Sequence, residues 1–242
     1  MKTHQTTFPQ DFGIRQISKQ QNKLKRISPT VKKNRFMFYT EVQPTDFLYI
    51  EMISKIKTDS VLFFDMDGTL IDTDYANYLS YKKAFELVKG TEFNINYDPT
   101  QRLTRSLLET VFSNLTEEEL GMIVAEKERC YNDFLPETKL YKETVEILKK
   151  YCKTNRTVLV TNCRKDRALA LLNYHGLTDM FSNLFFRQFG SNNEVINKFK
   201  NSILNLGISQ ELIIAFENEE FEIAEAMKAG ISIEKIIKII NP

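Results

Sequence analysis

The chain has 242 residues, of which 42% are hydrophobic and 27% charged, and a net charge of +1. That is more than one average domain, with enough apolar material for a proper core. No apolar run is long enough to span a membrane and no signal-peptide core opens the chain. Cys130, Cys152 and Cys163 have no metal-site or redox spacing, so a cytoplasmic protein with reduced thiols is expected.

Residues 1–35 carry nine Lys/Arg against one acid, Asp11, with five Gln and little apolar periodicity, and read as a flexible or loosely attached arm. Basic runs without a fold or interleaved aromatics are weak evidence of nucleic-acid binding. A solvated tail is the plainer reading: nucleic acid is not an expected partner, although the arm leaves it open. Residues 36–58 are more apolar and read as an extension packing on the core, with Thr45 or Asp46 capping a helix over Phe47–Ile56.

The next stretch, V-L-F-F-D-M-D-G-T-L-I-D-T-D over residues 61–74, carries the chemistry. Val61–Phe64 reads as a strand buried on both faces, as in a parallel sheet, with an acidic turn just past its carboxyl end, the edge where open α/β sheets bind ligands. Asp65 and Asp67, two residues apart on an extended chain, point to the same side, one able to attack and the other able to move a proton. Gly68 lets the chain turn sharply beside them.

Tyr75–Lys89, Gln101–Ser113, Glu117–Phe134 and Lys142–Lys153 show helical apolar spacing. Further strands are expected at Thr157–Val160, Leu184–Arg187, Leu212–Phe216 and near Ile236–Ile240. Such alternation implies a parallel sheet covered by helices on both faces. N-Y-H-G at 173–176 is a helix C-terminal signature with Gly176 as the left-handed cap.

The string D-M-D-G-T-L-I-D-T resembles the first motif of the haloacid dehalogenase-like phosphohydrolases. The resemblance implies a Rossmann-like α/β core in which Asp65 attacks phosphorus, forming an aspartyl-phosphate, while Asp67 protonates the leaving oxygen and later activates water. The family's second motif is matched by Thr157-Val-Leu-Val-Thr161-Asn162, implying that Thr161 and Asn162 hold the phosphoryl oxygens alongside Gly68 and Thr69. For the third motif, a Lys beside the nucleophile, no Lys-Pro occurs; Lys198 is the first candidate, with Lys200 and Lys165 behind it.

Aligned back from Ala229-Gly230-Ile231, the fourth motif places Glu217-Asn218 on the family's Glu-Asp pair and Glu222 on a later acid. The implied cofactor is Mg²⁺, held by Asp65, Asp67, Glu217, Asn218 and Glu222, and bound more weakly because Asn218 offers only a neutral oxygen; Glu219 and Glu220 stand nearby to compensate. By subtraction the core spans 59–74 and 156–242, and a helical cap spans 75–155, inserted after the first strand. This organisation resembles the phosphoglycolate phosphatase and beta-phosphoglucomutase branch. On the cap, Arg102 and Arg105 could grip a second anionic group or sugar hydroxyls.

The implied activity is a Mg²⁺-dependent phosphatase for a small phosphorylated metabolite. A phosphomutase, or a catalytically weakened protein that binds a phosphorylated ligand or partner, is the alternative. Substrate identity and oligomeric state are not legible.

Overall fold

Five apolar runs become one parallel sheet: β1 (Val61–Phe64), β4 (Arg156–Val160), β5 (Asn183–Phe185), β6 (Ile213–Glu217) and β7 (Ile236–Lys238), in the order β5-β4-β1-β6-β7. The computed structural model describes residues 53–240. The expected arm over 1–35, and the expected extension and its helix as far as residue 52, lie outside the described residues. At the end of that extension, Ile53 and Ile56 pack against the core.

Alternation along each strand sends side chains to two faces. Leu62, Phe64, Leu159, Ile214 and Phe216 join one buried cluster; Val61, Phe63, Val158, Val160, Ile213 and Ala215 join the other. Helices α4 (Lys142–Tyr151) and α5 (Lys165–Tyr174) cover the first face through Val145, Ile147, Leu148, Ala168, Leu171 and Leu172. Helices α6 (Lys198–Leu206) and α7 (Glu220–Lys228) cover the second through Phe199, Ile203, Ile223 and Ala226. Gly176 adopts φ 66°, the left-handed conformation expected of a cap.

The chain leaves the core and returns to it through a two-stranded antiparallel ribbon, β2 (Ile71–Asp72) against β3 (Lys139–Leu140). Between them lie α1 (Asp74–Lys89), α2 (Arg105–Val111) and α3 (Glu117–Cys130), which form their own core around Tyr81, Phe85, Phe93, Leu108, Leu120 and Ile123. The expected cap boundary of 75–155 therefore runs too far, because α4 packs under the sheet with Leu62 and Phe64. Two expected helices are also shorter. Asp98 takes the Thr100 N–H into a turn and Thr104 caps α2 by accepting from Leu107, so α2 starts after Gln101. After Cys130 the chain tightens into a 3₁₀ segment, Tyr131–Glu137, in place of the last turn expected of α3.

The seam between cap and core is ionic. Lys127 and Glu128 of α3 meet Arg167 of α5: Glu128 Oε1 lies 3.1 Å from Lys127 Nζ and 3.2 Å from Arg167 Nη1. Lys127 is only 3% exposed, with its ammonium over the Tyr81 and Tyr131 rings. Burial, joined by the Arg167 charge and opposed by Glu128, lowers its pKa from 10.5 to about 8.

Phe64 stacks on Phe216 with ring centroids 4.5 Å apart, at the centre of the sheet. Phe64→Ala should cost about 3–5 kcal/mol in urea unfolding, the range for truncating a buried aromatic. For Lys127, the unfolded chain keeps a proton up to pH 10.5 that the folded chain loses near 8, so stability should rise with pH across that window. Against Lys127→Met, the native protein should gain on the order of 2 kcal/mol between pH 7.5 and 10.5, measured by urea titration.

Candidate active site

The carboxyl ends of β1, β4 and β6 meet at one edge. Parallel register pairs Phe64 with both Leu159 and Phe216, so the residues that follow, Asp65 and Glu217, come side by side with Thr161 across from them. The Asp65 N–H continues the ladder by donating to the Phe216 carbonyl at 3.1 Å. The chain then folds back tightly: the Met66 carbonyl accepts from Thr69, Leu70 and Ile71, and Gly68 takes φ 78°.

A buried ammonium holds this edge together. Lys198, in the first turn of α6, lies 2.7 Å from Asp65 Oδ1, 2.8 Å from Glu217 Oε2 and 3.4 Å from Glu222 Oε2. These three carboxylates raise the Lys198 pKa far above its ordinary value against the effect of burial. Burial raises the Asp65 pKa well above the carboxylate range, with Lys198 opposing and Glu217 adding to the rise. Glu217 is fully buried, and its Oε1 accepts the backbone N–H groups of Asn218 and Glu219 at 2.9 and 3.2 Å.

Asp67 has the opposite electrostatics. Burial alone would raise its pKa, but the charges of Arg102 and Arg167 and a 2.5 Å hydrogen bond from Thr73 Oγ1 lower it to about 2. Arg102 Nη2 lies 3.3 Å from Asp67 Oδ1, and its Nη1 lies 2.5 Å from Asp74 Oδ1. One cap arginine thus reaches over the cleft onto the core.

The cleft between them has a volume of about 160 Å³ and is lined by Asp65, Asp67, Arg102, Thr161, Asn162, Cys163, Arg167, Lys198, Glu217, Glu219 and Glu222. A larger cleft of about 480 Å³, lined in part by Ser60 and Gln210–Leu212, opens at the opposite, amino edge of the strands, away from both aspartates. Cys163 Sγ accepts from Arg167 Nε at 3.0 Å, and burial pushes its pKa up to about 12, so it sits there as a neutral thiol. Two buried polar atoms lack a hydrogen-bond partner among the described residues: Asn162 Oδ1 and the Tyr131 hydroxyl. The Arg167 guanidinium lies over the Tyr131 ring.

Not every expected site residue reaches the cavity. Arg105 is turned outward at the start of α2, pairing with Glu109 one turn on and with Glu117. Gly68, Thr69 and Asn218 form the wall behind Asp67, with Thr69 Oγ1 within 3.0 Å of the Asn218 amide. Glu222, expected on a metal, accepts from Asn162 Nδ2 at 2.8 Å and meets Lys198. Lys200 and Lys165 are exposed. Arg167, Glu128, Lys127 and Thr73 were not expected at the site. Lys127 did leave a trace in the sequence, standing on the apolar stripe Leu120, Ile123, Lys127, Cys130.

Mg²⁺, which the sequence resemblance implies, can be tested against this donor set. Asp65, Glu217 and Glu222 bring three carboxylates to one ammonium, an excess of buried negative charge that a hard cation would balance. Mg²⁺ keeps several waters and binds through one or two carboxylates plus substrate phosphate. Asp65, the Asp67 carbonyl and Glu217 therefore fit such an ion.

The model of the haloacid dehalogenase-like hydrolase family matches residues 62–235. Similar solved structures include a haloacid dehalogenase-like hydrolase of Streptococcus pneumoniae, 16% identical with a TM-score of 0.58 over 72% of this chain and 83% of that one. A protein of Thermotoga maritima assigned as a beta-phosphoglucomutase is 21% identical, with a TM-score of 0.56 over 76% of this chain and 86% of that one. CbbY of Rhodobacter sphaeroides, solved with phosphate, is 15% identical with a TM-score of 0.58 over 71% and 83%. No curated protein sequence matches the chain. At these identities the structures speak for the fold alone, and it is the family match over most of the chain, falling on the strand ends that carry Asp65, Thr161 and Glu217, that makes this protein a member of the haloacid dehalogenase-like hydrolases.

Proposed function

We propose that the chain is a cytoplasmic, Mg²⁺-dependent phosphatase that hydrolyses a small phosphorylated metabolite through an aspartyl-phosphate on Asp65. The observation that carries this reading is the pair of aspartates in one small cavity, Asp65 fixed by an ammonium and Asp67 by a guanidinium. Lys198 occupies Oδ1 of Asp65, which leaves Oδ2 to attack phosphorus. As that bond forms, the ester P–O bond breaks and Asp67 gives its proton to the leaving oxygen. Water then attacks the phosphorus and gives a proton to the now ionised Asp67, and the Asp65 oxygen–phosphorus bond breaks to release inorganic phosphate.

In the free protein Arg102 keeps Asp67 ionised. An anionic substrate that draws Arg102 to itself relieves this hold and lets Asp67 take up the proton it must donate. Mg²⁺ held by Asp65, the Asp67 carbonyl and Glu217 would remove the repulsion between a carboxylate nucleophile and a phosphate dianion. Thr161 and Asn162 line the same cavity and would donate to the phosphoryl oxygens, Asn162 by releasing Glu222. A cavity of about 160 Å³ is large enough for a phosphoryl group with a short carbon chain. Arg102 and Arg167, which line it together, suit a second anionic or hydroxyl-bearing group on the substrate.

The family alternative, a phosphomutase, would use the same residues and return the phosphoryl group to the substrate, and the likeness to the Thermotoga protein keeps it in view. A panel of phosphorylated metabolites, assayed with and without Mg²⁺ for both free phosphate and isomerised sugar phosphate, separates the two. Phosphate release should require Mg²⁺ and vanish in Asp65→Asn while the melting temperature holds; turnover surviving in that variant would refute the mechanism. Phosphate release by no substrate at any Mg²⁺ concentration would leave a binding role. Arg102→Ala should lower kcat/KM by roughly 10–100-fold, the worth of a hydrogen bond to a charged group. An unchanged kcat/KM would remove Arg102 from the substrate.

A further inference from the structure

The Asn218 amide can lie in two orientations, and they differ sharply in what they satisfy. With its oxygen toward the site it faces the Asp67 carbonyl and Glu217 Oε1, two acceptors with no proton between them, and only the Thr69 hydroxyl can donate to it. With its nitrogen there it donates toward Thr69 Oγ1 at 3.0 Å, the Asp67 carbonyl at 3.1 Å and Glu217 Oε1 at 3.2 Å. Bare acceptor pairs at such distances repel, whereas donation to a carboxylate is among the stronger hydrogen bonds. The nitrogen-inward orientation is therefore the resting one.

The amide also has nowhere else to go. The other end of the amide, its oxygen in this orientation, lies against Gly68, 2.3 Å from where a Cβ would stand, so the absence of a side chain at 68 makes its seat. The chain at Gly68 is left-handed as well, with φ 78°, which keeps that position open to glycine.

We infer that Asn218 is a clamp on the cation site and not one of its ligands: its N–H groups occupy the Asp67 carbonyl and the Glu217 carboxylate, two of the oxygens that a divalent cation would use. The inference rests on the Mg²⁺ reading given above. Cation and amide draw on the same electron pairs, so the protein releases these hydrogen bonds when it binds the ion, and its affinity is set below that of the bare oxygens. The amide meanwhile ties the turn after β1 to the end of β6, holding Asp67 and Glu217 in place when no cation is bound.

The two roles for Asn218 predict opposite effects of removing it. Full-length wild type, Asn218→Ala and Asn218→Asp are titrated with MgCl₂ and with MnCl₂ by isothermal calorimetry, and their melting temperatures are measured with and without each ion. If Asn218 is a clamp, Asn218→Ala binds the cation as tightly as wild type or tighter, with an expected gain of about ten-fold, the equivalent of a lost hydrogen bond to a charged group. Asn218→Asp places a carboxylate against the Asp67 carbonyl and Glu217, so it should melt lower than wild type without cation and show the largest rise in melting temperature when the ion is added. If Asn218→Asp binds the cation and Asn218→Ala binds about ten-fold more weakly than wild type, Asn218 is a ligand, and the clamp is overturned while the Mg²⁺ reading stands. If none of the three proteins binds either ion, both readings fall together.

Discussion

The Lys198 ammonium is the interaction on which the edge of the sheet depends. Pairing β1 with β6 in parallel register brings Asp65 and Glu217 together, and α7 adds Glu222. Three carboxylates crowded into a low-dielectric interior need a counter-charge, and Lys198 opposes the rise that burial gives the Asp65 pKa. The fold fixes that charge with some care. Asn197 caps α6 by accepting from Lys200, and its own amide donates to Glu225 on α7, so the turn carrying Lys198 is tied to the helix carrying Glu222. Ser202 closes on the Lys198 carbonyl one turn further on. The position of Asp65 is thus a consequence of strand register plus one capped helix.

The cap has an apolar core of its own around Tyr81, Phe85 and Leu120, and it joins the body by a two-stranded ribbon, an ionic seam and the packing of Ala76 and Tyr131 into the cluster on the sheet. The ion pairs that cross the seam, Arg102 with Asp67 and Arg167 with Glu128, involve the same two arginines that line the cavity. On the proposed reading, an anionic substrate would compete with those carboxylates for the same charges.

Much of this was legible in the chain because the relevant residues sit at strand ends. Val61–Phe64 and the Thr161 strand end announce themselves by apolar runs broken by polar turns, and the parallel pairing of those runs brings their ends together. Lys198 could be placed only by its order after the second motif, since no Lys-Pro marks it. Arg167 was not legible: it is one of several charged residues in the first turns of a helix, and only the helix's direction aims it inward past Cys163. Arg102 and Arg105 look alike in sequence, three residues apart, but Thr104 starts α2 between them, leaving Arg102 on the strap that crosses the cleft and Arg105 on the outward face. The extent of the cap was misjudged for a related reason. The apolar face of α4 is as periodic as that of a cap helix, and nothing local says which core it faces.

The asparagine at 218 follows from the same electrostatics that place Lys198. Asp65, Asp67, Glu217, Glu219 and Glu222 already line one cavity of about 160 Å³, against Lys198, Arg102 and Arg167. A sixth carboxylate beside the Asp67 carbonyl and Glu217 would add repulsion that only a resident cation could relieve, making the site's integrity conditional on the ion. An amide inverts that sign: it supplies protons to the crowded oxygens, so the turn after β1 and the end of β6 remain joined in the metal-free protein. What stabilises the resting site is then what the cation has to displace, and affinity for the ion and independence from it become opposite ends of one side chain.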